Sequence, residues 1–504
     1  MARGRAYRFR RFGRGLNTAD GVYNLREGYE DDPQGLGAEC RDCLNVVSED
    51  RGKVRKRDGS TTLFTDSGVK DLNAVDADAN ALLLYSTTAG DLLSRKGDGT
   101  TATLVASGLS ATARWKFMRL PEIPSSTVLA YYGCNGVDTP RLVTNTAGTI
   151  AVATWPQNSG TRPNGRYMVY AGNRLFVAGD DADRYRVYAS NVGDPTRWDT
   201  TGGSTAGYSV QFDPDDGEIV TGLGTVGPYV LVFKETRVYV IYDLDTGANR
   251  KVTDQAGTLS PDSIVPSERG TFFLDPERGV MVTDGQEARR VSEQIQPTLD
   301  RIDSGDLDGV VGVFWRNHYY LGVVFEGARH LLDYNLELDS WWIHSHRSRA
   351  LAAWDTGSGP ALLSAHASTV ATLFVSGVAL DESVAFRTIW SGPFHSFGSS
   401  HLLKRCREVH LDGSGTVGVY ILSDFSSGSG NLEDTPVLSD TSAATFGGSG
   451  TLGGAGTFGG SVAIGEGSLF SLGVGRVWSI TFASEDANTW EVDSYTMLMT
   501  ARKD

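Results

Sequence analysis

No apolar run in the 504 residues approaches the roughly 20 needed to cross a bilayer, and the opening MARGRAYRFRRFGRG leads into no apolar segment of a secretory signal. Synthesis and folding in a cytoplasm are therefore expected. The four cysteines, Cys40, Cys43, Cys134 and Cys406, are too few for a disulfide scaffold in so long a chain, which points to reduced thiols. Helical periodicity with caps is nearly absent. The single candidate is VSEQIQPTLDRI, from Val291 to Ile302, which Pro297 should break or kink. Missing too are the phosphate loop GxxxxGKS/T, the metalloprotease HExxH, the GxSxG elbow and a GxGxxG opening a helix after a strand. Neither enzymatic activity nor a cofactor is expected.

What is present suffices for a folded chain. Hydrophobic residues make up 40% and aromatics 10%, enough apolar surface to offset chain entropy. Lys and Arg number 46 against 61 Asp and Glu, for a formal charge of −15, so a general nucleic-acid-binding surface is excluded. The charge is uneven. The first fourteen residues carry six arginines (Arg3, Arg5, Arg8, Arg10, Arg11, Arg14) and no acid, leaving −21 on the other 490. Tyr7, Phe9 and Phe12 are interleaved with these arginines and would be costly to leave in water. The arm is therefore expected to dock on protein, an acidic neighbouring subunit above all, rather than on DNA or as a loose tail.

The dominant pattern is a β-branched or aromatic run, a Gly/Asp/Asn turn and a second such run, the signature of a β-hairpin. It begins at Ala81, Thr127, Asn173, Pro228, Gly270, His318 and Pro360, giving about seven units spaced 42 to 55 residues apart. Runs such as YVLVFKETRVYVIYD are apolar on both faces, as in a sheet covered on both sides. Blades packed around an axis achieve that, so a β-propeller is expected over residues 61–385, preceded by a basic arm and extended segment over 1–60. Two sandwiches are the alternative. After about Ala385 clearer alternation, in REVHLDG, VGVYILSD, RVWSITFAS and TWEVDSYTMLMT, suggests an antiparallel sandwich-like domain over 386–504. A Gly-rich insertion at about 426–467 interrupts it, with near copies of one hexapeptide at Thr445, Thr451 and Thr457. An exposed loop or extended β-arm is expected there.

Few residues carry chemistry by spacing alone. Cys40 and Cys43 have zinc-ligand spacing but lack two further ligands, so they are read as core cysteines. Asp76, Asp78 and Asn80 lack the glycine and the bidentate acid of a calcium loop, and Asp213-Pro214-Asp215-Asp216-Gly217 is better read as a turn. His344 and His346 flank Ser345 and could bind a metal or act as a base, yet no third ligand is evident in the sequence.

The segments GRGLNTAD and CRDCLNVVSEDRGKVRKRDGSTTLF, with Asn45, Gly52, Arg55, Arg57 and Gly59, together with the blade-like stretches up to WW at Trp341 and Trp342, resemble one known group. It is the tail nozzle family of tailed bacteriophages, also called tail tubular protein B or tail stabilisation proteins. The resemblance covers most of residues 1–345, and its motifs are structural, so no catalytic residue carries over. It implies a virion tail protein that forms a homohexameric ring, contacts adjacent tail or adaptor proteins and the host envelope, and passes DNA without sequence specificity. An acidic lumen would let the duplex slide. The alternative is a glycan-binding receptor protein with Trp390, Trp478 and Trp490 as sugar platforms; a polysaccharide hydrolase is a third, more remote reading.

Overall fold

The computed structural model describes residues 5–21, 24–26, 37–48, 52–76, 81–97, 103–119, 128–146, 148–357, 359–366, 368–423, 457–464, 467–470 and 474–501. It is all-β, a seven-bladed propeller joined to a large antiparallel sheet. No helix of the described residues is long and apolar enough to cross a membrane. The helix expected at Val291–Ile302 shrinks to one turn, Gln296–Leu299, following a 3-10 turn at Glu293–Ile295. Pro297 stands in the first turn of that helix, where its missing N–H has no partner to lose, so it starts the helix instead of breaking it.

Each hairpin unit forms the middle of a four-stranded sheet. Blade 4 illustrates why. Its strands are Gly222–Val226, Tyr229–Phe233, Val238–Ile241 and Asn249–Thr253. Val230, Val232, Tyr239 and Ile241 point into a core shared with Phe176 and Val187 of blade 3. Leu231, Phe233, Val238 and Val240 point the other way, onto Phe273 and Met281 of blade 5. A strand buried on both faces needs apolar residues at every position, and each such side chain contributes about 1.5–3 kcal/mol on burial.

The first strands of successive blades adjoin one another around the axis, from Val69–Asp76 in blade 1 to Ala350–Asp355 in blade 7, which in turn lies against blade 1. The ring is closed by exchange of sequence ends. The fourth strand of blade 7 is Thr61–Thr65, which pairs antiparallel with Thr369–Leu373 through Thr65↔Thr369 and Phe64↔Val370. An ion-pair cluster crosses the propeller from blade 2 to the turn before blade 5. Asp262 accepts from Arg114 Nη1 at 2.7 Å and lies 2.6 Å from Lys116 Nζ. Burial alone would raise the Asp262 carboxyl; the two cations outweigh it and hold it at about 2.

The second body is one eleven-stranded antiparallel sheet. Seven of its strands follow residue 385, and four come from the first 60 residues: Arg5–Arg10, Asp42–Leu44, Val46–Val47 and Val54–Lys56. The stretch expected as an arm and extended segment is thus woven into the C-terminal sheet. Two long strands, Lys404–Ser423 and Trp490–Ala501, pair through bulges at Cys406/Glu408 and Asp412/Gly413. The third glycine-rich hexapeptide lies in a strand, Thr457–Ile464, paired with residues 415–422; the copies at Thr445 and Thr451 lie outside the described residues. Phe9, Trp341, Trp342, Trp390, Trp478 and Tyr495 belong to one buried cluster that joins this sheet to blades 5 and 6.

Candidate functional site

The residues of the family-like segment converge where the propeller meets the sheet. Asn45 is fully buried with φ of 55°, a left-handed conformation that asparagine tolerates better than most side chains. Its amide is saturated. Nδ2 donates to Ser345 Oγ at 2.8 Å and to the Arg387 carbonyl at 2.6 Å, while Oδ1 accepts from Ser345 N at 2.9 Å and Arg57 Nε at 3.0 Å. Arg57, only 2% exposed, then reaches Asp381 with both terminal nitrogens, Nη1 to Oδ1 at 2.9 Å, and lies 4.1 Å from the Phe386 ring centroid. Burial alone would raise the Asp381 carboxyl; hydrogen bonding to Arg57 and its charge pull it below the ordinary value. Gly59 completes the crossing, because a Cβ there would sit 2.0 Å from the Leu380 carbonyl oxygen.

Four histidines gather beside this crossing. Asp333, buried in blade 6, is 2.6 Å from His318 Nδ1 and 3.4 Å from His344 Nε2. Burial would raise its carboxyl, but His318 and the two hydrogen bonds hold it at about 2. His344 is fully buried and pushed below the usual histidine range by that burial, against the pull of Asp333. His346 is lowered to about 3, first by burial and then by the Arg57 charge, so its imidazole is neutral at physiological pH. Its Nδ1 meets Ser348 Oγ at 3.2 Å and Ser364 Oγ at 3.3 Å, and its ring lies edge-on to His366 with centroids 4.9 Å apart. His366 Nε2 is in turn 2.9 Å from Glu382 Oε1.

His344 and His346 therefore separate, one turning to Asp333 and the other to His366 and Glu382. The third ligand that the sequence did not reveal exists in space. His366 ends the second strand of blade 7 and Glu382 lies in the linker leaving it; their approach to His346 is set by strand pairing, which linear spacing cannot encode.

The other residues singled out in the sequence lie elsewhere. Cys40, Cys43 and Cys406 are buried in the core shared by sheet and propeller, and Cys134 is buried in blade 2. Asp76 holds Arg119 at 2.8 Å and Tyr131 at 2.8 Å, while Asp78 and Asn80 lie outside the described residues. Asp213–Gly217 is a 3-10 turn, with Asp216 clamped by Lys234 and Arg237. Trp390, Trp478 and Trp490 are buried and offer no platform to a sugar, because the sheet folds them inward as its core.

Of the arm, Arg3 lies outside the described residues. Arg5, Arg8 and Arg10 are in the strand Arg5–Arg10, antiparallel to Trp490–Ala501. Phe9 stacks on Tyr495 at 4.5 Å and Phe12 meets Trp390 edge-on at 5.1 Å, so the protein that the arm's rings dock on is the chain's own last strands. Arg5 and Arg10 are exposed, Arg8 pairs with Asp412 at 3.1 Å, and Arg11 and Arg14 are half-buried where the chain turns toward blade 6.

A third feature is an open cleft of about 400 Å³ between blades 4 and 5, lined by Tyr229, Tyr242, Arg250, Asp284 and Gln286. Both tyrosines are exposed. Arg250 Nη2 donates to the Gly285 carbonyl at 2.6 Å.

The seven radially arranged four-stranded sheets define the chain as a β-propeller protein. No family model and no curated protein matches the sequence. Among solved structures it is similar to the WD40 domain of Pan2 from Neurospora crassa, at 12% identity and a TM-score of 0.37, over 64% of this chain and 98% of that one. It is also similar to BBS1N, solved in complex with ARL6DN, at 12% identity and a TM-score of 0.39 with the same coverage.

Proposed function

We propose that this chain is a non-enzymatic structural protein of a bacteriophage tail, assembling as a ring, hexameric in the resembled family, that surrounds the DNA channel and retains and then passes the genome. The observation that carries the reading is the segment Asn45–Gly59. Three of the five residues singled out in that segment lock propeller to sheet, Asn45 and Arg57 by hydrogen bonds and Gly59 by close approach. A protein that must hold its shape under the pressure of packaged DNA needs such a fixed joint between its two bodies. The ion pairs from Arg114 and Lys116 to Asp262 tie blade 2 to the turn before blade 5 across the propeller, which favours a genome passage between subunits, in a ring of copies. The lumen of that ring is expected to be lined by acids from the excess of 61 over 46. Adjacent tail and adaptor proteins are the expected partners, and the virion the expected location.

Electron microscopy of the purified chain and of intact particles tests this. Rings with a central hole are expected; a solitary subunit in both preparations overturns it. Reversing the charge of the lumen acids should yield assembled particles with impaired ejection.

The cleft between blades 4 and 5 favours one second reading, a glycan receptor. Tyr229 and Tyr242 offer exposed aromatic faces beside Arg250, Asp284 and Gln286, a combination suited to sugar rings and hydroxyls. Binding of bacterial surface glycan by the isolated chain, abolished by Tyr242→Ala, would select that reading over the first.

A further inference from the structure

We infer that His346, His366 and Glu382 form a site for a divalent transition-metal cation, zinc being the best match. One ligand atom from each lies within 4.8 Å of the other two. Donors about 2.1 Å from a tetrahedral zinc stand about 3.4 Å apart. The spacing here brackets that value, with His366 Nε2 and Glu382 Oε1 drawn together to 2.9 Å as a hydrogen bond. Two imidazoles and one carboxylate suit zinc and its neighbours in the first transition row, whereas calcium and magnesium require oxygen ligands.

Three further features indicate a prepared site. Ser348 and Ser364, themselves 2.9 Å apart, hold His346 through Nδ1 and leave Nε2 as the nitrogen available to an ion, the outer contact that orients a ligating histidine. His366 Nδ1 is buried without a hydrogen-bond partner, so no protein group competes with an ion for that nitrogen. Glu382 and Ser383 both have positive φ, 47° and 74°, in a tight reversal closed by hydrogen bonds between Asp381 and Val384. Consecutive left-handed non-glycine residues are strained, and here the strain presents the Glu382 carboxylate to His366. Three protein ligands leave a fourth position for water or a group from a neighbour. The ion would tie the end of blade 6 and the closing blade to the linker that enters the sheet. The inference stands independently of the tail assignment.

Full-length protein dialysed against chelator and titrated with Zn²⁺ or Co²⁺ alone tests it. One saturating equivalent, a tetrahedral Co²⁺ absorption spectrum and a rise in Tm are expected, with no rise from Mg²⁺. Glu382→Gln and His366→Gln should each weaken binding at least about tenfold while melting near the metal-free wild type; His401→Ala should leave binding unchanged. X-ray absorption of the loaded wild type should show two imidazole nitrogens and a carboxylate oxygen, a reading that does not depend on any variant folding. Absence of stoichiometric binding, unchanged affinity in folded ligand variants or a different ligand set would overturn the site.

Discussion

Propeller and sheet are assembled from the same material by opposite rules. In blades 1, 2, 4, 5 and 6 every strand pairs with its neighbour in sequence, across turns or short connections, and the apolar residues of the central strands fill both inter-blade cores. The sheet pairs Arg5 with Met499 and Val54 with Val492, so it cannot be complete until both ends of the chain exist. Local pairing makes the blades independent of one another's sequence and quick to form; remote pairing makes the sheet dependent on the whole chain. At the crossing, polar contacts from Asn45 and Arg57 supplement the shared apolar core, because the turns and linkers that meet there bring backbone groups that need partners.

The largest predicted effect comes from deleting Trp490–Ala501. Amide exchange should rise throughout the sheet and in blades 5 and 6, which share its core, while blades 2 to 4 keep their protection; uniform loss would break the comparison. Next, Arg57→Ala leaves the half-buried Asp381 with no cation and should destabilise the protein by at most about 3 kcal/mol in urea unfolding followed by tryptophan fluorescence. Arg57→Lys keeps the charge but loses the fork to Asp381 and the bond to Asn45, so its loss should be smaller.

Asp262 makes the contact between blades 2 and 5 sensitive to acid. Its folded value of about 2 lies below the unfolded value of about 3.9, so its contribution is present above pH 4 and lost as pH falls toward 2. Asp262→Asn should cost about 2 kcal/mol at neutral pH, somewhat less where the half-exposed Lys116 is screened, and should make the stability profile less steep between pH 4 and pH 2, the remaining slope coming from Asp333. The smallest effect is expected for Arg8→Ala, whose partner Asp412 is exposed: below about 0.5 kcal/mol, and vanishing in high salt.

The fold was legible in sequence wherever burial on both faces wrote an uninterrupted apolar run. All seven hairpin starts, from Ala81 to Pro360, fall at the central strands of blades. Edge strands were not legible, since three-residue strands such as Val265–Ser267 and Ala288–Arg290 are too short to show a period. Nor was the closing strand Thr61–Thr65, whose exposed threonines carry no sign of a partner some 300 residues away. The arm's rings correctly announced burial, but charge alone pointed outward, and Phe9 is instead covered by Tyr495 of the same chain. Of the histidine cluster only His344 and His346 stood out, because His366 and Glu382 are brought in by blade geometry. One cue was available: five of the eight histidines fall in the stretch from His318 to His366.

The stretch from Arg57 to Thr65 holds both fastenings of the molecule, the anchor to Asp381 and the strand that shuts the ring. A protease reaching the short span between them would cut the closing strand from its anchor and leave the last blade with only three strands of its own. With Gly59 wedged against Leu380, that span is shielded in the closed molecule. A nick there would therefore act as a stopwatch, recording how often the whole circle springs open.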